Sequence, residues 1–211
     1  GFTVFAIRPG SITKYNAIEM RDHLNAGILW VKKHSKEYGI DPDRLGMMGA
    51  SAGGHLALLT AVTAPEADPK SEKLNSRVKA VAVFFPPTDL TGFLKVKRKD
   101  EKAQKEFELV MQAIALPRNP YLDLSLPEEK KMEYLKGVSP ALLVKKGLPP
   151  MLLIHGDADE VVPLSQSENM VEALKKMEIP VELIVKKGGG HPWLTIHEEV
   201  EVLMNWFEKH L

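Results

Sequence analysis

The sequence has no cysteine, which excludes disulfides, thiolate metal sites and a cysteine nucleophile. The same absence leaves the compartment open, because a chain without thiols is indifferent to redox state. No apolar run approaches the roughly 20 residues that a bilayer-spanning helix needs, so no membrane span is expected. Neither sign of charge is in surplus, with Lys+Arg and Asp+Glu at 28 each. No nucleic-acid or anionic-membrane partner is expected from that balance. No internal repeat is present either. What remains is 211 residues of ordinary composition, 44% hydrophobic and 27% charged. That is enough for one sizeable core, so a single domain over residues 1–211 is the expectation.

Strand-like and helix-like segments alternate. Gly1–Ile7 is apolar, β-branched and aromatic, the pattern of a buried strand. Domains seldom begin inside a central strand, so further residues are expected upstream, and with them any targeting signal. A helix is expected from about Ala17 to Tyr38, with Gly39 placed to end it. Strands follow at Arg44–Met48, Val78–Phe85, Met151–His155 and Val181–Val185. Helices are expected at Ala52–Val62, Leu164–Met177 and from near Glu198 onward, the first apolar on nearly every side and therefore buried. This alternation predicts an α/β fold, a mostly parallel sheet with helices on both faces. A Lys- and Glu-rich stretch at residues 91–136 interrupts it, with an amphipathic helix expected around Phe107–Ile114. It follows a strand's C-terminal end, where α/β sites are built, and so is placed as a helical insertion and candidate cap.

Three places carry chemistry. Gly49-Ala50-Ser51-Ala52-Gly53 fits Gly-x-Ser-x-Gly between an expected strand and an expected helix, the context in which that motif presents a serine nucleophile. Gly49 and Gly53 are expected to be small because backbones crowd there. The N–H of Ala52 is placed to donate to an oxyanion. A serine hydroxyl needs a base, and the base an orienting acid, each later in the chain and after a strand. After Met151–His155 come Asp157 and Asp159; Asp159 is the preferred acid, with Asp157 the alternative or a turn-former bonded to backbone N–H groups. After Val181–Val185, the Gly188-Gly189-Gly190 tract leads to His191, the candidate base.

His155, Asp157 and Asp159 also resemble a small metal-ligand cluster. With no second ligand group of similar density, no metal and no cofactor are expected. His155 reads instead as a strand-end histidine held by local hydrogen bonds. His55 is expected to pack or bond locally, and His23, His34, His197 and His210 to sit on helical faces.

Gly49–Ala57 (Gly-Ala-Ser-Ala-Gly-Gly-His-Leu-Ala) and His155-Gly156-x-x-Asp159-x-x-Val162-Pro163 resemble the carbohydrate-esterase branch of the α/β-hydrolases. That branch includes acetylxylan and feruloyl esterases and is akin to the hormone-sensitive-lipase group. Asp41-Pro42-Asp43-Arg44-Leu45 and Pro86-x-x-Asp89-Leu90 are similar to it too. The resemblance implies an α/β-hydrolase fold lacking its first strands, an acyl-enzyme mechanism through Ser51, His191 and Asp159, and a small or carbohydrate ester as substrate. A serine peptidase of the prolyl-oligopeptidase kind shares the elbow and the acid motif, and a non-catalytic binding module is the third alternative. The sequence departs from the family in lacking the His-Gly-Gly-Gly type loop that completes the oxyanion hole, a donor worth on the order of 100- to 1000-fold in rate. By the same analogy Gly1–Ile7 corresponds to the family's fourth strand, left without its neighbour, and either unpaired or paired directly with Arg44–Met48.

Overall fold

The computed structural model describes residues 1–10, 14–66, 74–93, 100–101, 104–105 and 127–211. Among these, four parallel strands form one sheet in the order of the chain: β1 (Gly46–Ala50), β2 (Ala80–Phe84), β3 (Met151–Gly156) and β4 (Val181–Lys186). Each crossover between them carries helix: α3 (Ala52–Thr63) leads from β1 to β2, and α6 (Ser165–Lys176) from β3 to β4. Between β2 and β3 lie α4 (Leu90–Phe93), α5 (Glu128–Gly137) and a 3-10 turn at Pro140–Leu142. Helices α1 (Ala17–Lys33) and α2 (Ser35–Tyr38) precede β1, and α7 (Ile196–His210) closes the chain.

The period of two along β2 and β3 divides the core into two layers. Val81, Val83, Met151 and Leu153 face Ala57, Leu58 and Val62 of α3 and Met170 and Leu174 of α6. Ala80, Ala82, Phe84, Leu152 and Ile154 face Leu203, Trp206 and Phe207 of α7 on the opposite side. Both faces of the central strands are thus covered, which is why β2 and β3 are continuous apolar runs and every residue in them is buried. Helix α3 is buried from Gly54 to Val62, as its all-round apolarity predicts. α1 starts on a capping box between Asn16 and Glu19 and packs Met20 and Leu24 on Leu56 of α3.

Two expectations are corrected. The helix expected over Ala17–Tyr38 is interrupted at His34, whose backbone leaves the helical region and whose Nδ1 bonds the Trp30 carbonyl at 2.7 Å; Gly39 then ends α2 in the left-handed region. Gly1–Ile7 is no strand, and the sheet has not closed over the gap beside β1. A strand exists only where a neighbour completes its ladder. Here a cleft of about 490 Å³ separates the segment from β1, lined by Val4, Phe5 and Ile7 on one side and Gly46, Met47 and Met48 on the other. Among the described residues side chains hold it: Phe2 packs edge-on against Phe207, and Phe5 against Tyr38.

The expected helix around Phe107–Ile114, and with it most of the candidate cap, lies outside the described residues. The return limb of that insertion is described. Tyr134 accepts a hydrogen bond from Ala17 N–H at 3.2 Å, and His55, fully buried, bonds the Val138 carbonyl at 2.7 Å. No described helix is long and apolar enough to cross a membrane.

Candidate active site

Parallel strands put all their C-terminal ends at one edge, and the three candidate residues lie just past three of those ends. Ser51 follows β1, Asp159 lies three residues beyond β3, and His191 five beyond β4. Ser51 has φ 52° and ψ −120°, a backbone conformation that side chains rarely adopt. It is held by its N–H bonding the Phe84 carbonyl at 2.9 Å and its carbonyl accepting from His55 N–H. A Cβ on Gly49 would stand 2.4 Å from the Gly53 carbonyl oxygen, so that glycine is obligatory. The expectation for Gly53 is corrected: a Cβ there meets nothing, because it points away from the strand while the Gly53 backbone does the crowding. The tighter second position is Gly54, where a Cβ would lie 3.2 Å from the Phe84 carbonyl oxygen. Ala52 is exposed at the first residue of α3, next to the serine.

The structure brings Ser51, His191 and Asp159 into one hydrogen-bonded chain. Ser51 Oγ lies 2.9 Å from His191 Nε2, and His191 Nδ1 lies 2.6 Å from Asp159 Oδ2. A carboxylate accepts only, so the imidazole proton belongs on Nδ1 and Nε2 is left to accept from the serine hydroxyl. The other carboxylate oxygen, Oδ1, accepts from the N–H groups of Val161 and Val162 at 2.9 and 2.8 Å. Burial pushes the Asp159 carboxyl up, but the His155 ring N–H 3.5 Å away and the hydrogen bonds from His191 and the Val162 N–H outweigh it and hold the group below the usual carboxylate range. Asp159 therefore stays charged beside the imidazole.

Geometry separates the two aspartates. Asp157 turns away and accepts from the Gly188 N–H at 2.6 Å, a backbone-bonding role, though with a loop distant in sequence rather than with its own turn. His155 is fully buried, its Nε2 donating to the Val162 carbonyl at 2.8 Å and its Nδ1 accepting from Ser167 Oγ at 2.7 Å. The acid and base loops lie backbone on backbone. A Cβ on Gly156 would fall 2.1 Å from the Gly189 carbonyl oxygen, which also accepts from Ala158 N–H. In the glycine tract, Gly188 supplies a positive φ and Gly189 the close approach.

Sequence reasoning missed Phe85. It has φ 37°, and its ring meets the His191 imidazole edge-on at 4.4 Å between centroids. It also missed Trp193 and Glu199, which hold the far side of the His191 loop through an indole N–H to carboxylate bond of 2.8 Å. The apolar Phe84-Phe85-Pro86-Pro87 strand end was the available signal for Phe85; no local pattern marks Glu199.

Residues 1–174 match the BD-FAE family. The chain belongs to that family. Its fold is that of the α/β-hydrolases, and the similar solved structures are esterases. The truncated form of a carbohydrate esterase from gut microbiota superposes with a TM-score of 0.73 at 26% identity, over 95% of this chain and 71% of that one. An acetyl ester-xyloside bifunctional hydrolase from Caldicellulosiruptor lactoaceticus gives 0.69 at 26% identity, over 93% of this BD-FAE chain and 68% of that one. A relative named probable carboxylic ester hydrolase LipM, from Mycobacterium tuberculosis, is 30% identical over 161 residues, 74% of this chain. The chain spans 34% of that relative's length.

Proposed function

We propose that this BD-FAE chain is the catalytic part of a carboxylic ester hydrolase that works through an acyl-enzyme on Ser51. The observation that carries the reading is the continuous chain from Ser51 Oγ through His191 to Asp159, with links of 2.9 and 2.6 Å. Such a chain turns a weak nucleophile into a reactive one. His191 Nε2 takes the hydroxyl proton as Ser51 attacks the ester carbonyl. The charge that develops on the carbonyl oxygen is met by the Ala52 N–H at the start of α3, where the helix dipole also favours it. His191 then protonates the leaving alcohol. Water, deprotonated by the same imidazole, releases the acid and restores Ser51. Asp159 fixes the Nδ1–H tautomer and stabilises the imidazolium that forms twice per cycle.

Carbohydrate and acetyl-ester activities named for the similar structures support short-acyl esters of sugars or other small alcohols as substrates. The test is a panel of p-nitrophenyl acetate, an acetylated xyloside, a feruloyl ester and an aminoacyl p-nitroanilide. Hydrolysis of the esters with the amide left intact is the expected result, lost on the order of 1000-fold or more in Ser51→Ala. Turnover of the amide in preference to the esters supports a peptidase instead, and full activity in Ser51→Ala rejects the reading outright.

A further inference from the structure

We propose that Glu199 is a positioning residue for His191, acting as a clamp across both ends of the loop that carries the imidazole. The proposal rests on the catalytic reading above, since it concerns how that base is held. The loop leaves the sheet at Lys186, the last residue of β4, and reaches Trp193 two residues past His191. Glu199, on α7, touches both points. Its Oε1 accepts from Lys186 Nζ at 2.6 Å and its Oε2 from Trp193 Nε1 at 2.8 Å. The Glu199 side chain is 10% exposed, whereas that of its neighbour Glu198, which also meets Lys186 at 2.9 Å, lies at the surface. Burial alone would push the Glu199 carboxyl up; the Lys186 ammonium and the Trp193 indole N–H hold it below the usual range, so it remains a charged acceptor for both.

The clamp reaches the imidazole through packed rings. Trp193 lies 6.2 Å from Phe84 and 5.6 Å from Phe85 between ring centroids, and Phe85 sits edge-on against His191 at 4.4 Å. Rotation of the indole therefore moves both the backbone beside His191 and the ring against which His191 rests. On the N-terminal side of the histidine the loop is fixed by the close approach of Gly189 to Gly156; the clamp fixes it on the other side. Misplacing a catalytic group by about 1 Å costs on the order of 100-fold.

The experiment compares wild type with Trp193→Phe, Glu199→Gln and the double variant. Trp193→Phe removes the N–H donor together with the five-membered ring of a buried side chain, so it is read beside Glu199→Gln, which keeps the side chain's size and leaves the indole packing in place. Three quantities are read: the melting temperature, the rate of fluorophosphonate labelling at Ser51, and the downfield proton resonance of His191 Nδ1–H, which needs no turnover. The proposal expects both single variants to be folded at the labelling temperature, as the melting curves check, with labelling slower by on the order of 10- to 100-fold and a shifted or broadened imidazole resonance. The double variant should be no slower than the slower of the two single variants, because both changes break one path. Wild-type labelling rates together with an unchanged resonance in the variants overturn the clamp and leave the catalytic reading standing. A wild type that shows neither labelling nor the resonance overturns both.

Discussion

Ser51 and Asp159 illustrate opposite uses of a constrained residue. The serine is held in a conformation that costs on the order of 1–3 kcal/mol and returns nothing to the fold, whereas the aspartate is tied by bonds that stabilise it. Because the Asp159 carboxyl lies below its unfolded value, its contribution to stability is complete above about pH 4 and is lost as pH falls through the lower, folded value. The stability difference between wild type and Asp159→Asn should therefore be largest near neutrality and shrink below about pH 4. Urea melts at several pH values check this, and a difference that grows in acid contradicts it. The same substitution should lower kcat on the order of 10³–10⁴-fold, since an amide no longer enforces the right tautomer. The three residues in the hydrogen-bonded chain were legible in the sequence because each sits at a fixed offset from an apolar strand and the serine motif requires the others. The choice of Asp159 over Asp157 became decisive only with geometry, since both follow the same strand. For Phe85 the strand end gave a signal of position but not of role, and Trp193 and Glu199 carried none: their roles arise from contacts between segments far apart in the chain.

Among the elements, the central strands were the most legible. Met151–Ile154 and Ala80–Phe85 are uninterrupted apolar runs, and the bounds of β3 and β2 agree with the expected Met151–His155 and Val78–Phe85 to one or two residues. Arg44–Met48 was displaced, because pairing with Ala80–Phe84 and not composition fixes β1 at Gly46–Ala50. Gly1–Ile7 has strand composition but no ladder, and composition carries no information on whether a neighbour exists. The tightest joint between elements is the crossing of the acid and base loops at Gly156 and Gly189. Gly156→Ala would set a methyl carbon 2.1 Å from a carbonyl oxygen, far inside van der Waals contact, so the two loops must separate. The expected cost is about 1–3 kcal/mol by urea denaturation, with a loss of ester hydrolysis larger than that instability explains at temperatures where the variant is fully folded. Unchanged activity in a folded Gly156→Ala would show that the two loops need not cross so closely.

For the whole molecule, the sheet is asymmetric. Helices cover both faces of β2 and β3, while β1 turns one edge to the cleft facing residues 1–9 and exposes half of Met48. An uncovered apolar edge is a template for pairing with other chains. Met48→Lys should therefore slow aggregation, followed by light scattering on heating, while moving the melting temperature by little, since the side chain is already half in water. Faster aggregation in that variant would show the edge to be harmless. The α/β class, the order of elements and the edge of the sheet that carries the site all followed from alternating periodicity. The expectation that Gly1–Ile7 lies unpaired, or pairs with Arg44–Met48, rests on a family pattern and not on periodicity. The proposed ester hydrolysis, the proposed short-acyl substrates and the proposed clamp on His191 all depend on the reactivity of one hydroxyl.

That reactivity is directly measurable. Incubating the chain with a fluorophosphonate, then mapping the adduct by mass spectrometry, should place a single modification on Ser51, absent in Ser51→Ala and strongly slowed in His191→Ala. An adduct on another serine, or labelling of Ser51 that proceeds equally well without the His191 imidazole, contradicts the account.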